Sequence, residues 1–119
     1  MKESAPQIAR RLLLAGGRGL EVLRIHQFED DITAHDDELQ ATLERDFNEA
    51  CIHVQAELAQ EFGNPSRGGT EVTGVIPWNG IFRFAIWETE GKVLYLCAAH
   101  EDRELPYLLL LGTEPSQGK

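Results

Sequence analysis

The sequence lacks any stretch close to the roughly 20 consecutive apolar residues that a helix needs to cross a bilayer. Its longest candidate runs only from Leu105 to Leu111. No membrane contact of that kind is expected. A secretory leader is equally poorly supported: after Lys2, Arg10 and Arg11 the apolar run is confined to 12–15, shorter than a signal-peptide core, and no clear small-residue cleavage site follows. A cytoplasmic location is the expectation.

Cysteine is scarce. Cys51 and Cys97 each sit inside an apolar pattern, there is no CxxC spacing, and no second ligand set lies near either of them. This excludes a zinc ribbon or a disulfide framework, and both residues read as buried free thiols. The one glycine-rich stretch, Gly16-Gly17-Arg18-Gly19, follows a helical pattern instead of a strand and lacks the Lys-Ser/Thr of a phosphate loop, so it reads as a turn. Neither a metal nor any other cofactor is expected.

Positive charge is also thin, with 11 Lys and Arg against 20 Asp and Glu, a net charge of −9. The imbalance is uneven. Residues 1–27 hold five basic and two acidic side chains, a balance of +3, whereas 28–62 hold eleven acidic side chains against Arg45 alone, a balance of −10. So dense an acidic band repels phosphate backbones and argues against nucleic acid as a partner, while it would attract a basic protein surface.

What is present is an ordinary globular composition, 42% apolar and 26% charged in 119 residues, enough for one domain spanning 1–119. Ser4-Ala5-Pro6-Gln7 has the form of a capping box with proline in the first turn, followed by Ile8, Leu12 and Ala15 at helical spacing. A strand is expected over Leu20–Gln27, with Leu20, Val22, Arg24 and His26 on one side. Asp36 then caps a long helix in which Leu39, Leu43, Phe47, Ala50, Cys51, Val54, Leu58 and Phe62 recur every three or four residues, until Gly63-Asn64-Pro65 stops it.

Beyond Gly69 the period becomes strand-like. Strands are expected over Thr70–Ile76, Ile81–Glu88, Val93–Ala99 and Leu105–Leu111, with turns at Asn79-Gly80 and Glu90-Gly91 and a flexible tail over 113–119. The fold class is therefore α+β: a long amphipathic helix packed on a four- to five-stranded, mainly antiparallel sheet, with a short N-terminal helix. The last two strands look apolar on both sides, yet one long helix covers one face. Either the N-terminal helix or another chain, such as a second copy forming a homodimer, is expected on the other.

Three places could carry function. On the long helix Asp46, Glu49, His53 and Glu57 are spaced by three, four and four residues and form an acidic stripe. His100, Glu101, Asp102 and Arg103 cluster in the loop between the two most apolar strands; a histidine beside carboxylates could serve as a base, but no Ser or Cys nucleophile is placed for it. Trp78, next to Pro77 and the Asn-Gly turn, is an aromatic anchor candidate. With no catalytic signature, the expected role is a small interaction domain of the inhibitor, immunity or chaperone type that binds a basic partner protein. The alternative is a small-molecule-binding or enzymatic domain with a pocket between helix and sheet, and Trp78, His100 and Glu101 at its mouth.

Overall fold

The structure, a computed structural model, describes residues 3–70, 76–89 and 91–115. Its elements run α1 (Ala5–Ala15), β1 (Gly19–His26), α2 (Asp31–Ala34), α3 (Asp37–Phe62), β2 (Arg67–Gly69), β3 (Ile81–Thr89), β4 (Lys92–Ala99) and β5 (Tyr107–Pro115). The strands form one antiparallel sheet in the order β1-β5-β4-β3-β2. It is the α+β arrangement expected, a long helix and a short one on a five-stranded sheet.

Local chemistry starts and stops the helices. The Ser4 hydroxyl accepts from the Gln7 amide at 3.3 Å and the Gln7 side chain accepts from the Ser4 amide at 2.8 Å, the complete capping box. Asp36 accepts from the Leu39 amide at 3.1 Å, and Asp37 and Glu38 sit in the first turn of α3, where the helix dipole favours them. At the far end the Gly63 amide bonds back to the Ala59 carbonyl at 2.8 Å, and the Trp87 indole donates to the Gly63 carbonyl at 2.8 Å, tying the helix terminus to β3.

Both helices lie on the same face of the sheet. Ile8, Ala9 and Leu12 of α1 and Leu43, Phe47, Cys51 and Leu58 of α3 pack with Trp87, Leu94, Leu96, Leu109 and Leu111 in one core. The opposite face carries a second core of Phe84, Ile86, Val93, Tyr95, Cys97 and Leu110. Of the two covers expected from the sequence, α1 is corrected, because it packs on the other face with α3. The chain covers it itself: Ile76 is buried there, and Trp78 packs against the same cluster. A short stretch leading into β3 can do this because Tyr95 lies flat over its cross-strand neighbour Gly112, where an added Cβ would fall 2.4 Å from the ring.

Two further expectations are corrected, and a third falls mostly outside the described residues. The chain partner of β3 on its outer side is Arg67–Gly69; of the strand expected over Thr70–Ile76, residues 71–75 lie outside the described residues. The last strand starts at Tyr107 and runs to Pro115, so Thr113, expected at the start of a flexible tail, is buried and its hydroxyl donates to the Gly17 carbonyl at 3.4 Å. Finally, β1 does not alternate throughout. Its register on β5 shifts between Val22 and Arg24, a β-bulge at Leu23. Leu20, Val22 and Ile25 therefore share the side remote from the helices, while Arg24 turns to the helix side and lies 5.1 Å from the Phe47 ring centroid. Among the described residues no helix is long and apolar enough to cross a membrane.

Candidate functional site

The residues singled out from the sequence fall in three separate places. Asp46, Glu49, His53 and Glu57 follow one flank of α3, with Asp46 half-buried and the others exposed. His53 and Glu57 approach to 3.5 Å, one turn apart. Arg103, by contrast, pairs with Asp37 at the start of the helix. Nine residues of helix, about 13 Å, separate Asp37 from Asp46 and twenty, about 30 Å, separate it from Glu57, so the stripe runs away from the loop along the helix.

Nor does the pocket between helix and sheet assemble from Trp78, His100 and Glu101. Trp78 and Glu101 line a shallow depression of about 200 Å³ with Leu105, Pro106 and Leu108 on the face away from the helices. His100 points to the other side of the sheet, where its ring stacks on Tyr107 with centroids 3.7 Å apart and planes at 12°. The sheet itself separates them. The Asn79-Gly80 turn is held against this loop by the His100 amide, which donates to the Gly80 carbonyl at 2.9 Å. Contact is so close, with Gly80 at φ 75°, that a Cβ there would sit 2.5 Å from the Glu101 Cα.

His100 and Tyr107 belong to an aromatic group with Phe28, Phe47 and Phe82. Gln40 closes it. The Tyr107 hydroxyl donates towards both the Gln40 carbonyl at 3.1 Å and its Oε1 at 2.9 Å, while the Gln40 amide nitrogen donates to the carbonyls of Ala34 and Arg103 at 2.7 and 3.1 Å. The His100 Nε2 is enclosed with no hydrogen-bond partner. Burial pulls the His100 pKa below its usual 6.5, against the opposing influence of backbone hydrogen bonds at Leu105 and Arg103. This is a half-buried, stacked imidazole whose charged form burial disfavours.

One further concavity is lined mostly by residues the sequence did not single out. A cleft of about 510 Å³ opens between α1, β1 and α3. Ile8, Leu23 and Val54 give it apolar walls, and Glu3, Glu21 and Glu57 bring three carboxylates around it. Arg11 is the neighbouring cation, 2.9 Å from Glu3 and 3.2 Å from Glu21. Its guanidinium holds the Glu3 carboxyl below the usual carboxylate range. Arg10, on the next face of α1, pairs with Glu61 at 3.1 Å. The acidic stripe thus continues from α3 into a cleft, through Glu57.

No group of three or more His, Cys, Asp or Glu placed to hold a metal ion occurs among the described residues. Both cysteines are free and buried, Cys51 in the helix-side core and Cys97 in the opposite one, and burial pushes each thiol up to about 12. At neutral pH they are protonated and inert, which leaves them a packing role. Compared with protein-family models, with curated proteins and with solved structures, the chain matches none.

Proposed function

We propose that this chain is a protein-interaction domain, of the kind that inhibits or escorts another protein, and that it takes a basic segment of its partner along the acidic flank of α3 and into the cleft beside α1. The observation that carries the reading is the convergence of Glu3, Glu21 and Glu57, from three different elements, around a cleft with apolar walls. Carboxylates around an apolar floor suit Lys and Arg side chains, whose aliphatic stems bury while their charged heads pair at the rim. Asp46, Glu49 and His53 extend the same surface along the helix. An enzyme would need a nucleophile or an activated base in such a cleft, and the one histidine with a shifted pKa lies in the aromatic core.

The test uses a synthetic peptide of alternating Lys and Leu, with a Glu and Leu peptide as control, followed by fluorescence anisotropy. The Lys peptide should bind, and weaken as salt shortens the screening length from ~30 Å at 0.01 M to ~8 Å at physiological strength. Reversing Asp46, Glu49 and Glu57 to Lys should cost about tenfold or more in affinity. The same charge change made at Glu38, Asp102 and Glu104 should cost much less. Equal losses would mean that only net charge matters, and the placement would be wrong.

A further inference from the structure

The two edges of the sheet are unequal, and the long one is self-complementary. Among the described residues β1 has a strand neighbour, β5, on one side only. It is eight residues long, and such an edge is a template for another strand. Of the six large apolar side chains that stand most exposed among the described residues, three lie on its outer face: Leu20 at 43%, Val22 at 46% and Ile25 at 51%. A fourth, Leu14 at 86%, lies one turn beyond Arg11 on the flank of α1 from which Arg11 reaches Glu21 of this same strand. Exposed apolar surface is thus concentrated around one free edge.

We infer that β1 pairs antiparallel with β1 of a second copy, joining two sheets into one of ten strands. A two-fold axis perpendicular to the sheet at Val22 sets Val22 beside its own copy, Leu20 opposite Ile25 and Glu21 opposite Arg24. The bulge at Leu23 makes this register consistent. Because of the extra residue, Glu21 and Arg24 both point to the helix side, and Leu20 and Ile25 both point to the other. Without it, Leu20 would face Arg24. Each interface then carries two Glu–Arg pairs and a continuous row of six apolar side chains on the outer face.

Charge bears on the approach as well. The acidic band of 28–62 would keep two copies apart, whereas β1 and α1 lie within residues 1–27, whose balance is only +3. Like-charge repulsion between two copies is much weaker there. Pairing of one strand edge alone is small beside a standard interface of ~1,600 Å². Leu14 and the apolar row supply the additional burial. The interface goes beyond the partner surface proposed above; Glu21, Val22 and Leu23 also line that cleft, and the two fail separately because one is read by self-association of the chain and the other by binding of the Lys peptide.

The full chain should sediment as a species of twice 13.3 kDa at high micromolar concentration and dissociate on dilution. Val22→Lys, which places two ammonium groups on the axis, should give a monomer of unchanged circular dichroism and melting behaviour. Arg24→Glu, which opposes two carboxylates, should weaken the dimer about tenfold or more. Adding Glu21→Arg in the same chain should restore it, an outcome that loss of folding or of the Phe47 contact could not produce. A wild-type chain that is monomeric at several hundred micromolar overturns the proposal and leaves the edge to a strand of a different protein. A dimer insensitive to Val22→Lys, or a double variant that shows no recovery, overturns it as well.

Discussion

The two faces of the sheet are covered by different means. On one, two amphipathic helices lay down side chains at regular spacing, and the core runs from Ile8 in α1 to Leu111 in β5. On the other, one strip of chain at Ile76 and Trp78 does the covering, helped by a tyrosine lying over a glycine. Both succeed over β4, where Leu94, Leu96 and Ala98 on one side and Tyr95, Cys97 and Ala99 on the other are all buried. They differ at the margin. The helices reach β1, whose Leu23 is half-buried, whereas the strip stops short and leaves Leu20, Val22 and Ile25 open. A sheet can be buried twice by unequal layers, and the place where the thinner layer ends is where apolar surface stays exposed.

The comparison breaks if the helix-side core is not the stronger one. Phe47→Ala removes a fully buried ring packed on Tyr107 and should cost ~3–5 kcal/mol, read from the urea midpoint. On the opposite face Gly112→Ala forces the Tyr95 ring off β5 and should cost ~1–3 kcal/mol, with part of that loss vanishing in a Tyr95→Leu background and the rest persisting because the same Cβ falls 2.9 Å from the Gly19 carbonyl. Additive losses would show that ring and glycine do not bear on each other.

Cysteine labelling sharpens the contrast. In the native chain Cys51 and Cys97 should both resist iodoacetamide, since buried thiols held near pKa 12 offer almost no thiolate. Trp78→Ala should speed labelling of Cys97 several-fold and leave Cys51 unchanged, as mass spectrometry of the two peptides would show. Parallel acceleration of both would mean that the faces open together.

The smallest effect is a pH dependence. Because the folded-state pKa of His100 lies below its unfolded value of 6.5, its contribution to stability is complete above that value and is lost as pH falls below it. His100→Phe keeps the stack on Tyr107 and should flatten the fall in melting temperature between about pH 7 and 5. An identical fall in the variant would place the titrating group elsewhere.

Much of this architecture was legible in the residues. α3 was, because seven turns of apolar recurrence and a capped start at Asp36 agree with one another; the capping box at Ser4 and Gln7 and the strands over 81–99 were legible for the same local reason. Tertiary matters were not. Nothing in 1–15 says which face of the sheet α1 takes. A single extra residue at Leu23, which reverses the sidedness of everything after it, is invisible to an alternating pattern that tolerates either reading. The cleft depends on Glu3, Glu21 and Glu57 meeting across 54 positions of sequence, and charge patterning along one helix could reveal only the last of the three. His100 looked like a loop residue with neighbouring acids, and strand alternation beyond Ala99 turned it into the interior instead.

Gln40 has a wider effect than its size suggests. Its carboxamide spends both polar ends, and its backbone carbonyl a third contact, on Ala34, Arg103 and Tyr107, so the entry to α3, the 100–106 loop and the start of β5 share one clasp. These three stretches, far apart along the chain, will exchange their amide protons through a common opening, and a glutamate in that position, able to accept but not to donate, would unfasten all of them at once.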